Sequence, residues 1–246
     1  MPPPPFPPAG YSEDIVRRVR VLFNGQYVVD APNPKLVWEH PYYPVYYFLR
    51  SDISHEYLAN KNIDSNGHAV YDLVVNDRTS SSAVTLFQSG PLKDYGTIGT
   101  NKADKWFEED ECFYGHPKDP YKRTQILQSS KHVRIEIDGF EVANTTHPKL
   151  LYETSLPIRT YIPHTDVRLD LLKDDLDLST SCPYKGDASY YVVELPDGQK
   201  KPGLAWWYKT PTSECADIKG YIAFYDDKVD VWVDGVKQDS PINLKG

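Results

Sequence analysis

Two stretches decide how this chain folds: Val19-Arg20-Val21-Leu22-Phe23-Asn24-Gly25 and Val133-Arg134-Ile135-Glu136-Ile137-Asp138-Gly139. In each, apolar residues stand at every second position, so an extended segment acquires one apolar face. Asn24-Gly25 and Asp138-Gly139 then supply the two positive-φ residues of a tight hairpin turn. Position 133 minus position 19 gives a shift of 114. The same shift carries Pro34-Lys35-Leu36 onto Pro148-Lys149-Leu150, Glu39 onto Glu153, Tyr47 onto Tyr161 and Asp52-Ile53 onto Asp166-Val167. A constant offset across so many positions is the mark of a duplicated folding unit.

Working outward, the same devices recur. Val229, Val231 and Val233 alternate before Asp234-Gly235, and Pro196-Asp197-Gly198 marks a hairpin between residues 190–195 and 204–209. Only residues 102–109 and Ser213–Ile218 read as short helices. The chain is therefore expected to be mainly β, in two tandem copies. Residues 1–14 form a proline-rich tail, residues 15–125 a first, degenerate copy, and residues 126–246 a second copy. The boundary is set in the polar stretch 124–131. Beyond Asp52 the copies diverge: the second runs on to Cys182-Pro183-Tyr184-Lys185-Gly186, while the first offers only a polar stretch from Leu58 to Ala69.

Composition narrows the function classes. Lys and Arg total 27 against 35 Asp and Glu, a net charge of −8. That sign repels phosphate backbones and anionic lipid, so nucleic acid is not the expected partner. No run of 18 apolar residues is present, so no membrane span is expected. The start, MPPPPFPPAG, has neither the basic nor the apolar segment of a secretory signal. Cys112, Cys182 and Cys215 are scattered without a CxxC pair, which argues against a structural zinc site and for a reducing, cytoplasmic setting. No metal and no cofactor is implied. The tail reads as extended and polyproline-like, either a solvated extension or a ligand for a proline-reading partner.

Three groups of residues carry the chemistry. Cys182 has Lys185 three residues on, across a turn stiffened by Pro183; a neighbouring cation favours the reactive thiolate. The competing reading is a buried small hydrophobe. Glu153, Arg159, Asp166 and Arg168 alternate with strand apolars and can bind an acid or an amine, or else form an ion-pair network. Arg159 becomes Val45 in the first copy, whereas Glu39 and Asp52 persist, so Arg159 reads as site-specific and as the group that orients a ligand anion. Tyr161, Tyr184, Tyr190, Trp206, Tyr208 and Tyr225 can wall a cavity or simply pack a core. Asp175-Leu176-Asp177 has the spacing of a metal-binding pair but lacks the Gly-Ser loop that should precede it, and reads as an acidic turn.

The second copy resembles the domain-of-unknown-function 427 family, also labelled nucleotidyltransferase-like. The resemblance rests on residues 133–139, Glu153-Thr154, Leu156-Pro157, Arg159, Tyr161, Pro163, Asp166-Val167, residues 182–186, Trp206, Tyr208 and residues 220–225. The first copy is similar to tandem members of that family through residues 106–111 and 116–123. The resemblance implies a β-tent-like fold of coiled antiparallel sheets, and it does not carry a reaction. Ser155 stands where the family leads one to expect Gly, and Thr160 where it leads one to expect an aromatic ring.

The expectation is a small-molecule-binding enzyme whose site lies in the second copy. Cys182, Lys185, Glu153 and Asp166 are its catalytic group; Arg159 and the rings Tyr161, Tyr184, Tyr190, Trp206, Tyr208 and Tyr225 bind the ligand. The alternatives are a non-catalytic module with an aromatic cage, and an adaptor working through the tail.

Overall fold

In the computed structural model residues 7–113 and 115–239 are described. The chain divides into two compact units, Met1–Tyr121 and Lys122–Gly246.

The first unit holds β1 (Ser12–Asp14), β2 (Val19–Phe23), β3 (Gln26–Ala31), β4 (Lys35–His40), β5 (Tyr43–Leu49), β6 (Leu58–Ile63), β7 (Ala69–Val75), β8 (Arg78–Leu86), β9 (Tyr95–Ile98), β10 (Lys105–Glu108) and β11 (Glu111–Cys112). They form a seven-stranded sheet in the order β1-β4-β5-β9-β8-β7-β6 and a four-stranded sheet in the order β11-β10-β2-β3. Every pairing is antiparallel. Val19, Val21 and Phe23 point from the small sheet into a core shared with Leu36, Trp38, Phe48, Leu73 and Leu86 of the large one. The alternation in the sequence is thus the alternation of burial.

The second unit repeats the plan with β12 (Thr124–Gln128), β13 (Val133–Ile137), β14 (Phe140–Thr145), β15 (Lys149–Glu153), β16 (Arg159–Pro163), β17 (Leu172–Cys182), β18 (Gly186–Glu194), β19 (Lys200–Tyr208), β20 (Tyr221–Phe224), β21 (Asp230–Val233) and β22 (Val236–Lys237). Its sheets run β12-β15-β16-β20-β19-β18-β17 and β14-β13-β21-β22. Adding eleven to each strand number of the first unit reproduces both orders. The hairpin turns also match: Asn24-Gly25, Asp138-Gly139 and Asp234-Gly235 all have positive φ at both residues.

The structure corrects three expectations. Residues 105–108 are not helical; Trp106 pairs with Val21 in the small sheet and is buried there, so a long-range partner overrides a locally helix-compatible run. The tail does not reach residue 14. Pro7 is buried, Gly10 donates to the Trp38 carbonyl at 2.7 Å, and Ser12–Asp14 is an edge strand on β4. Its earlier residues, 1–6, lie outside the described residues. Finally, the copies do not part at Asp52. The 3-10 turns Arg50–Asp52 and His55–Tyr57 recur as His164–Asp166 and Leu169–Leu171, and Leu58 opening β6 becomes Leu172 opening β17, all at the shift of 114 (172 minus 58). No helix among the described residues is long and apolar enough to cross a membrane.

Candidate functional site

The seven-stranded sheet of the second unit uses its two faces differently. One carries Ile162, Val193, Ala205, Ile222 and Phe224 into the core against the small sheet. The other carries Leu151, Tyr161, Ala188, Tyr190, Trp206, Tyr208 and Ala223, and is closed by the 3-10 segment Ser213–Ile218 with Cys215 and Ile218 fully buried. In strand order Cys215 sits between β19 and β20, a place where the first unit has no helix.

The Cys-Pro-Tyr-Lys-Gly stretch is the tip of the β17–β18 hairpin. Cys182 and Gly186 are register partners, and the Lys185 amide donates to the Cys182 carbonyl at 3.3 Å. Gly186 has φ +99°, and a Cβ there would stand 3.2 Å from the Thr210 carbonyl oxygen, so only glycine fits comfortably. The Thr212 amide donates to the Lys185 carbonyl at 3.1 Å, and the Thr212 hydroxyl donates to the carbonyl of the buried Tyr184. The hairpin tip is therefore bound to the segment that leads into the helix.

That tip reaches far across the sheet. The Lys185 Nζ donates to Glu153 Oε2 at 2.5 Å, with side chains only 15% and 7% exposed. Three strands separate β15 from β18. In a flat sheet four interstrand steps would span roughly 19 Å, so contact requires the sheet to curl until the hairpin overhangs β15. Burial pulls the Lys185 ammonium down, and the Glu153 carboxylate with smaller help from the neighbouring sulfurs more than offsets it, leaving the amine above its ordinary value and charged. The equivalent Glu39 of the first unit instead accepts a hydrogen bond from Tyr47 at 2.7 Å. The retained acid thus has a lysine in one copy and a tyrosine in the other.

Two thiols lie in this curl. Cys182 is half-buried and Cys215 fully buried, and both are free. Each acts electrostatically on Lys185 and on Tyr161. Burial pushes the Cys215 thiol up, while Thr124 and Lys185 draw it down in part. The Tyr161 and Tyr208 hydroxyls are likewise pushed well above the usual tyrosine value by burial, so both are neutral groups in this region.

The remaining expected residues separate into two further places. Arg159 lies over the rings of Trp206 at 5.1 Å and Tyr225 at 5.7 Å, donates to the Phe224 carbonyl at 3.0 Å and pairs with Asp226 at 3.2 Å. Tyr190 joins the cluster through its hydroxyl, 3.3 Å from that of Tyr225 and 2.9 Å from Thr180 Oγ1. Three of the six expected rings, Tyr190, Trp206 and Tyr225, thus gather around the chain's own Arg159, which is committed within the fold to Phe224 and Asp226. Asp166 stands apart. It accepts hydrogen bonds from the Thr145 and Thr165 hydroxyls in the turn after β16, and no contact joins it to Cys182, Lys185 or Glu153. The persistence of the equivalent Asp52 fits that structural duty. Arg168 is exposed and binds Asp170. Asp175 precedes a bulge on the edge strand and is half-buried, whereas Asp177 lies within the bulge and is exposed, its amide donating to Asp175. Among the described residues no group of three or more His, Cys, Asp or Glu is arranged to hold a metal ion.

Sequence reasoning missed Cys215, Thr212 and Asp226. The helical pattern of Ser213–Ile218 was visible, but nothing local shows that it closes over the thiol hairpin. A shallow hollow of about 200 Å³, lined by Arg123, Gln125, Tyr152, Glu153 and Thr154, lies beside this region. Its lining includes Glu153 but not Cys182, Lys185 or Cys215.

A family model described as Domain of unknown function (DUF427) matches residues 12–108 and again 125–235, together well over half of the chain. No curated protein matches the chain.

Proposed function

We propose, for a chain that belongs through both of its halves to the family described as Domain of unknown function (DUF427), that the second unit is a small-molecule site whose chemistry runs through the Cys182 thiol. The observation that carries this reading is the buried Lys185–Glu153 pair beside a half-buried thiol, in the copy that alone has the Cys-Pro-Tyr-Lys-Gly hairpin. A buried charge pair is costly to keep and is weak support for a purely stabilising role. Here the pair places a positive ammonium at the hairpin tip that carries the sulfur. The Cys182 sulfur attacks a carbonyl carbon of the ligand: the sulfur–carbon bond forms as the carbon–oxygen π bond breaks, the Lys185 ammonium steadies the negative charge that develops on that oxygen, and the thiol proton ends on the same oxygen to give a covalent adduct. Glu153 keeps that ammonium charged and aimed. Asp166 and Arg159 have no part in this scheme. The first unit, with Glu39 bound to Tyr47, acts as scaffold.

The aromatic cage is the weaker alternative, because Arg159 already fills the cation position over Trp206 and Tyr225. Three unpaired thiols fit a cytoplasmic location. Net negative charge favours a small molecule over nucleic acid as partner.

The test is a metabolite panel screened by thermal shift, since a ligand bound only to the native state raises its melting temperature. Hits are then titrated against C182S and C182A. Loss of at least tenfold in affinity or turnover, about 1.4 kcal/mol, in a folded variant supports the reading. Undiminished binding and turnover in both variants would sink it.

A further inference from the structure

The thiol region holds a second sulfur that the proposed chemistry does not use. Cys182 ends β17 at the hairpin tip, and Cys215 lies in the Ser213–Ile218 segment that closes the same sheet face. Two hydrogen bonds tie the hairpin to this segment, Thr212 amide to Lys185 carbonyl at 3.1 Å and Thr212 hydroxyl to Tyr184 carbonyl, and within the segment the Cys215 amide donates to the Thr212 carbonyl at 3.0 Å. Cys182 is the register partner of Gly186, which lies against Thr210–Thr212, and Thr212 stands three residues before Cys215. Their exposures differ. Cys182 is half-buried and reachable, whereas Cys215 is 0% exposed and cannot meet a dissolved oxidant itself. One accessible thiol and one sheltered thiol on two segments held together by hydrogen bonds is the arrangement of an attacking and a resolving cysteine.

We infer that Cys182 and Cys215 form a dithiol pair that a hydroperoxide oxidises to a disulfide within the second unit. The inference rests on the reading of Cys182 as the reactive thiol of the proposed site. In the first step the Cys182 thiolate attacks one peroxide oxygen. The S–O bond forms, the O–O bond breaks, and a hydroxide or alkoxide leaves; sulfur is oxidised to a sulfenic acid and the peroxide is reduced. In the second step the Cys215 sulfur attacks the Cys182 sulfur, the S–O bond breaks, and the departing hydroxide takes the Cys215 proton as water. An external thiol reductant reverses the disulfide by exchange. Oxidation would fasten the hairpin tip to the helix and consume the thiol of the ligand site, so that peroxide switches the site off.

Reduced full-length protein is treated with hydrogen peroxide and read by intact mass and non-reducing peptide mapping. The expected result is loss of two hydrogens and a peptide bridging Cys182 to Cys215, unchanged in C112S. In C215S, or in C215A should a buried serine disturb folding, oxidation should halt at a sulfenic acid on Cys182 that dimedone traps. Gain of two or three oxygens on Cys182 with Cys215 still a thiol would overturn the pair, as would a bridge through Cys112. Iodoacetamide labelling separates the two readings. Rapid labelling of Cys182 without a bridge sinks the pair and leaves the reactive thiol standing. Failure of both labelling and oxidation at Cys182 sinks both.

Discussion

At the scale of single residues, the two copies show what one carboxylate costs in two settings. Glu153 is buried with Lys185, so Lys185→Met should leave an unpaired buried charge and destabilise the second unit by about 3–5 kcal/mol. The double change Lys185→Met with Glu153→Gln should recover most of that loss, as urea unfolding would show. In the first unit Tyr47→Phe removes one hydrogen bond from Glu39 and should cost only about 1 kcal/mol. Asp226 gives a pH dependence. Burial pushes its carboxyl up from 3.8 to about 6, against the pull of Arg159. The folded-state value lies above the unfolded one, so its contribution to stability is complete below about pH 4 and is lost as pH rises through about 6. Asp226→Asn should lack this decline, and its stability relative to wild type should climb across that window by on the order of 3 kcal/mol. A parallel pair of pH profiles would defeat the assignment. Ser155, the residue found where glycine was expected, has φ +64°. A left-handed non-glycine residue costs roughly 1–2 kcal/mol, and an unfolded glycine costs roughly 0.5–1 kcal/mol in entropy. Ser155→Gly should therefore raise the melting temperature slightly.

At the scale of elements, the β17–β18 hairpin decides where Cys182 and Lys185 sit. Gly186→Ala meets both a positive φ and the Thr210 carbonyl, so it should destabilise by more than about 1 kcal/mol. Gly139→Ala has the same φ penalty but open space around it, and should cost less in the same melting assay. Strands that announce themselves by alternation and a two-residue turn, such as β2, β13 and β21, were legible because both signals are local. β10 was not, since its place is set by pairing with β2 more than eighty positions earlier. The same limit governs the site. Cys182, Lys185 and Glu153 could be named from the sequence, but the meeting of hairpin tip and β15 depends on the curl of a whole sheet. The surroundings of Arg159 and Asp166 are hidden from the sequence for the same reason. Their residue types suit a ligand, and only the fold reveals that Asp226, two rings and two threonine hydroxyls already engage them.

At the scale of the whole molecule, each unit has its own buried core, so each has what it needs to fold alone. Residues 122–246 expressed by themselves should give a single cooperative thermal transition, checked by circular dichroism; a fragment without one would show that the unit depends on its neighbour. The shared strand order has a further consequence, which belongs to the refolding chain rather than to the folded one. A strand emerging from denaturant meets two edges of nearly the same pattern, its own and that of the other copy, and tandem copies of one plan are prone to exchange strands while they assemble. The hairpins break this degeneracy. In the first unit Leu58 pairs with Leu73, a separation of 15 (73 minus 58), whereas Leu172 pairs with Val193, a separation of 21 (193 minus 172). A β17 borrowed by the first unit would carry six surplus residues and a tip shaped for a helix that the first unit lacks. The hairpin that ends in Cys182 thus differs in length from its counterpart, and that difference disfavours its pairing with the wrong half of the chain.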